Sequence, residues 1–148
     1  MTVNEYLWKL EWLKVKRDHK YEKCIRKTEK ANSPRSSLDI DGMPHRTGVN
    51  TRELQLIEVA EALEKYYAAS DEYEEYRNEV LSSLSKLDYN HRIALEHVYV
   101  WELDREPQAR LNGLCQLLDI RKGDLQKHMS KAKAQLKEIL LEQGKDIE

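Results

Sequence analysis

Residues 111–136 read LNGLCQLLDIRKGDLQKHMSKAKAQL, and the reading of this stretch decides the fold. Leu111, Leu114, Cys115 and Leu118 recur at helical spacing and put apolar side chains on one face. After a break at Asp119-Ile120-Arg121, Leu125, Met129, Ala132 and Leu136 do the same. The break has room only for a tight turn, so the pair predicts a helix-turn-helix. In that unit the first helix braces the second, which enters the major groove of DNA. Asp119 stands where the turn needs a left-handed backbone, a conformation aspartate tolerates better than most residues, and apolar Ile120 follows it. The second segment keeps Arg121, Lys122, Asp124, Gln126, Lys127 and Lys131 off its apolar stripe. These side chains are the candidate contacts to phosphates and base edges. A plain helical pair with solvated lysines has the same spacing, since patterning alone does not establish function.

Working outward, Leu87 to Leu103 reads as a third helix packed under the pair. Ile93, Leu95, Val98, Tyr99 and Trp101 make it unusually apolar, which places it at the centre of the C-terminal domain. Asp88 or Asn90 is positioned to cap it, and Pro107 starts the helix that leads into the opening motif. Gly113 lies inside that helix, at a cost of about 1 kcal/mol relative to alanine. Beyond Leu136 the last helix continues through Ile139, Leu140 and Leu141; Gly144 ends it, and the charged tail is expected to fray.

The pattern Leu87, Arg92, Leu95, Tyr99, Leu114-Cys115, Leu118-Asp119-Ile120, Leu125, Lys131-Ala132 and Leu136 resembles region 4 of bacterial sigma factors, the part that reads the −35 promoter element. The resemblance covers the C-terminal segment from about residue 87. Three departures stand out: Asp119 replaces the usual glycine, Arg121 stands where a Ser or Thr cap is usual, and the connector from Asp104 to Arg110 is longer. Nothing resembles the sigma region that binds the −10 element. The chain is therefore more similar to small transcription regulators of phages and prophages of Gram-positive bacteria. These include late-gene activators of the ArpU and RinA type and related uncharacterised phage proteins, to which the loop Asp41-Gly42-Met43-Pro44-His45 is also similar. The resemblance implies DNA as a partner; the acidic outer face of the long helix over about 52–86 offers a contact to a basic surface of RNA polymerase, or keeps the hairpin off DNA.

Residues 2 to 31 read as one helix with a seam at Val3, Leu7, Leu10, Lys14, Arg17, Tyr21, Cys24 and Thr28, rich in lysine and arginine from Lys9 onward. Trp8 and Trp12, one turn apart, are expected in the core. Residues 32 to 50 form a connector broken by Pro34, Gly42, Pro44 and Gly48. Its Asp39, Asp41 and His45 do not meet the spacing of a calcium loop. Thr51 is positioned to cap a long helix over about 52–86, with a heptad seam at Leu56, Val59, Leu63, Tyr66, Ser70, Tyr73, Arg77, Val80, Leu84 and Leu87. Its solvent side carries Glu53, Glu58, Glu61, Glu64, Asp71, Glu72, Glu74, Glu75 and Glu79. A basic and an acidic helix joined by a reversing loop predict an antiparallel hairpin. The expected fold is all-α: a helical hairpin over 1–86, serving oligomerisation or partner binding, then a three-helix DNA-binding domain over 87–148.

Charged residues are 35% of the chain and the net charge is −2, which excludes a uniformly basic nucleic-acid binder but not a local basic face. From Arg121 to Lys137 the basic side chains Arg121, Lys122, Lys127, Lys131, Lys133 and Lys137 face one acid, Asp124. Cys24 and Cys115 form no metal-ligand spacing, and His91 and His97 point apart on one helix, so neither metal nor cofactor is expected. Both cysteines read as small buried residues of a reducing compartment. There is no run of about 20 apolar residues and no signal core, so no membrane partner is expected and the chain should stay in the cytoplasm of its bacterial host cell. Phosphate-binding loops, zinc-protease motifs and nucleophile elbows are absent, so no enzyme is expected. The expectation is a sequence-specific DNA-binding regulator, dimeric through the hairpin. The alternative is a helical adaptor or inhibitor that binds protein alone.

Overall fold

The computed structural model describes residues 1–32 and 51–148. The connector, with Asp39, Asp41, His45 and the 41–45 loop, lies outside the described residues apart from Asn32. Among the described residues the chain is all-helical. Helix α1 is Val3–Asn32 and α2 is Thr51–Leu84. Helix α3, Tyr89–Glu96, runs directly into a π-helical turn, His97–Trp101; α4 is Pro107–Leu118 and α5 is Lys122–Glu142.

The paired helices α1 and α2 are antiparallel, because partner numbers fall on one as they rise on the other. Tyr6 meets Tyr76, Lys16 pairs with Glu72, Tyr21 meets Tyr66 and Lys27 pairs with Glu58. The two ion pairs join the basic helix to the acidic one as the charge pattern predicts. They are partly exposed, and such pairs contribute at most about 1 kcal/mol each.

The heptad register of α2 differs from expectation by one residue at alternate positions. Tyr73, Val80 and Leu87 are buried as expected. At the alternate positions the chain buries Gln55, Ala62, Ala69, Tyr76 and Ser83, each one residue before the expected Leu56, Leu63, Ser70, Arg77 and Leu84. Of those, Leu84 is also buried, whereas Leu56 is 51% exposed. A seam chosen by side-chain size misses Ala62 and Ala69, whose small side chains leave room for a close neighbour.

By contacts the chain divides into two compact units, Met1–Lys14 with Tyr73–Glu148, and Val15–Glu72. The boundary thus crosses both hairpin helices and does not fall at residue 86. The reason lies in the first unit's core. Val3, Tyr6, Leu7, Leu10 and Leu13 of α1 and Tyr73, Tyr76, Val80 and Leu84 of α2 share one cluster with Leu95, Tyr99, Leu114, Leu125, Met129, Leu136 and Leu140. The base of the hairpin and the three C-terminal helices bury their apolar faces together.

Three further expectations are corrected. Trp8 and Trp12 are 43% and 60% exposed, not core, and Trp101 is exposed as well. Cys115 is only half-buried, although Cys24 is buried. The tail does not fray: Ile147 is buried, the Glu148 amide donates to the Met1 carbonyl, and Lys145 bonds Glu79 and the Tyr6 hydroxyl. The apolar Ile147, two residues past Lys145, is what draws the tail in. Burial, with Tyr6 and Glu79 nearby, pushes the Tyr76 phenol well above its ordinary range. Burial opposes the charge of Lys145, but the hydrogen bonds its ammonium donates to Glu79 and Tyr6 outweigh it and raise its pKa.

Candidate nucleic-acid interface

The site starts from the turn between α4 and α5. Asp119 adopts φ 53 and ψ 48, the one left-handed non-glycine among the described residues. Its amide and that of Ile120 both return to the Cys115 carbonyl, the latter at 3.1 Å. Orphan carbonyls at a helix end are satisfied in this way when the next residue turns left-handed. Ile120 then packs against the core and fixes the exit direction. Arg121, extended at φ −76 and ψ 152, is the residue before α5, and no side chain caps that helix. The expected left-handed turn is present, and α5 starts without a Ser or Thr cap, as the sequence implies.

Helix α5 buries Leu125, Met129, Ala132, Leu136 and Leu140. Every candidate contact lies on the other side: Arg121, Lys122, Asp124, Gln126, Lys127 and Lys131 are all exposed. They do not form one row. Lys122 and Gln126, four apart, flank the groove towards α4, lining it with Pro107, Gln108 and Leu111. Lys127 and Lys131, also four apart, lie on the flank turned away from that groove, as the helical spacing requires. Asp124 sits in the first turn of α5, where a carboxylate favours the helix dipole. A carboxylate is repelled by phosphate, so of the two kinds of contact only one to a base edge is open to it.

Three residues on this face were not singled out from the sequence. Gly123, Ser130 and Ala134 are exposed and lie on the outer side of α5 between the two lysine flanks. A Cβ at Gly123 would meet nothing within 4 Å, and its φ is not left-handed, so neither packing nor backbone requires glycine there. Ser130 donates its hydroxyl back to the Gln126 carbonyl at 3.0 Å, keeping that side chain flat against the helix. The outer face is therefore low along its middle and basic along its edges. The signal in the sequence is the spacing of small residues at 123, 130 and 134.

The brace under α5 depends on a residue that the sequence hides. Arg110 of α4 is 1% exposed. Its guanidinium donates to the Arg105 carbonyl at 2.9 Å, the Val98 carbonyl at 2.8 Å and Glu11 Oε1 at 3.1 Å. A π-helical turn shifts carbonyls off the ordinary helical ladder, and Arg110 takes one of them. Gly113 also finds its reason here: a Cβ would stand 3.1 Å from Nε2 of His97, whose ring covers that face of α4. On the opposite flank, His91 and His128 bring their ring centres to 5.2 Å. His91 Nδ1 lies 2.6 Å from Gln135 Oε1, and His128 Nε2 lies 3.2 Å from the Asn90 carbonyl. These contacts join α3 to α5. Among the described residues no group of His, Cys, Asp and Glu is arranged to hold a metal ion, and no helix is long and apolar enough to cross a membrane.

Comparison of the chain with protein-family models, with curated proteins and with solved structures finds no match in any of the three.

Proposed function

We propose that the chain is a sequence-specific DNA-binding regulator that reads the major groove with α5, in the manner expected of small phage and prophage regulators. One observation carries this reading. The solvent face of α5 is basic at Lys122, Lys127 and Lys131 and low at Gly123, Ser130 and Ala134, and the glycine has no structural reason. A helix that seats deeply in a groove needs small residues where its axis comes closest and long donors where phosphates and base edges lie. The left-handed turn sets the direction in which α5 leaves α4, and Arg110 ties α4 to the Val98 carbonyl and to Glu11 of α1, which supports a fixed mounting for α5.

The chain acts as a homodimer in this proposal, with RNA polymerase as a second protein partner. The acidic outer face of α2 is the candidate contact to polymerase; Glu72 there is paired with Lys16, so exposed Glu74 and Glu75 are the better placed. Selection from random duplexes tests the proposal. The intact chain should recover an inverted repeat whose halves lie about one or two helical turns apart. Lys122→Ala or Gln126→Ala should change the recovered bases. Recovery of unselected sequence by the intact chain would overturn sequence-specific reading, and a motif unchanged by both variants would remove these two side chains from it.

A second reading, a helical adaptor without a DNA role, draws support from apolar side chains left exposed in the unit 15–72. Val15, Tyr21, Leu56, Ile57 and Tyr67 are each about half exposed or more. Where such side chains adjoin, they offer a surface that a protein partner would cover. The same selection separates the readings, because an adaptor recovers nothing.

A further inference from the structure

Between the start of α4 and the near flank of α5, with Trp8 of α1 beside them, lies a cavity of about 420 Å³. Pockets of about 300–1,000 Å³ take ligands the size of a drug molecule. Val98, Tyr99, Leu111, Leu125 and Met129 give it an apolar lining. Trp8 is half-exposed and touches the Tyr99 ring edge-on at 5.5 Å, so much of its face is free for a ligand to cover. The charges around the cavity are all positive: Arg110, Lys122 and Lys133 line it, and no carboxylate does. Arg110 is matched by Glu11, whereas Lys133 lies only over the Tyr99 ring, 5.4 Å from its centre, and Lys122 is exposed.

We infer that this cavity binds an amphipathic monoanion, an apolar body ending in one carboxylate or sulfonate. The body fills the space between Leu111, Leu125 and Met129, removing apolar surface from water at about 25 cal/mol per Å². The anionic end meets Lys133 and Lys122 at the edge, where a neutral molecule gains nothing. This binding does not depend on the DNA reading. The two share side chains, however, since Lys122 and Gln126 both line the cavity and belong to the proposed DNA face. On that reading, ligand and DNA compete.

The test uses the full chain with its three methionines carrying ¹³C-labelled methyl groups, and decanoate as probe. The Met129 methyl signal, assigned with Met129→Leu, should move saturably with a midpoint below about 1 mM, while the other methionine signals stay still. Decanol should bind about tenfold more weakly, and Lys133→Gln should lower decanoate binding about threefold, towards the level of decanol, with Lys122 supplying the rest. A Met129 signal that decanoate does not move, or equal binding of decanol and decanoate by the intact chain, would overturn the inference. Failure to bind any duplex would overturn the DNA reading and leave this one standing. On the DNA reading, decanoate should weaken duplex binding several-fold.

Discussion

Arg110 carries a full charge into the interior and spends all of it on specific acceptors: two backbone carbonyls and one carboxylate. Removing one member of such a buried group leaves the others unpaired, and that is where the cost arises. Arg110→Met should therefore destabilise the chain by about 3 kcal/mol, the low end of the range for buried pairs, because Glu11 is partly solvated. Adding Glu11→Leu in the same chain should recover part of the loss, since it removes the stranded carboxylate. Urea unfolding midpoints measure both; a single variant as stable as the parent would show that Arg110 is not the rivet described. Asp119 is the other decisive residue. Its left-handed backbone is readable from the sequence because it follows an apolar helix end and precedes Ile120. Arg110 is not readable in that way: it shares the apolar face of α4 with Leu114, four residues on, but an arginine there reads equally well as a residue reaching out to solvent.

At the scale of elements, helices were legible wherever large apolar side chains recur, and less so wherever small ones do the packing. Helices α1, α4 and α5 begin and end within a residue or two of where the pattern puts them. In α2 the alternate seam positions shift by one because Ala62 and Ala69 carry no hydrophobic signal of their own. The π-helical turn at His97–Trp101 was invisible, since the Val98 carbonyl within it is bonded by Arg110, twelve residues further on. On α5 the lysines were found and the small residues between them were missed. Those small residues give a prediction of opposite signs. Gly123→Ala should stabilise the helix, by up to about 1 kcal/mol, because glycine is a poor helix former and a methyl there has open space. The same change should weaken DNA binding by holding the helix off the groove floor. Thermal unfolding and duplex titration of one variant check both halves; a variant both more stable and equally tight would show that the glycine has no part in binding.

At the scale of the whole molecule, the tail ties the C-terminal end of the chain to the base of the hairpin, and pH reveals it. Tyr76 and Lys145 both have their protonated forms favoured in the folded chain. Their contribution to stability is complete below their unfolded pKa values, near 10, and is lost as pH rises through the higher folded values. Stability should be flat through neutrality and fall above about pH 10. In Tyr76→Phe the fall should be shallower, since one of the two groups no longer titrates. Urea midpoints between pH 8 and 11.5 measure this, and an equally steep fall in the variant would remove Tyr76 from the account. The shared core of the first unit was the least legible feature at this scale. Two long helices read as a separate hairpin, although their first and last turns, at Val3–Leu13 and Tyr73–Leu84, are built into the same interior as α3, α4 and α5.

The central claim, that the basic outer face of α5 meets DNA phosphates, is tested most directly by the salt dependence of duplex binding. Each phosphate neutralised contributes about 0.9 to the slope of log affinity against log salt. The parent chain should bind duplex DNA with a steep negative slope. Lys127→Ala with Lys131→Ala should make that slope shallower by about 1.8, two phosphates' worth. Absence of duplex binding at low salt, or a slope unchanged in the double variant, would contradict the claim.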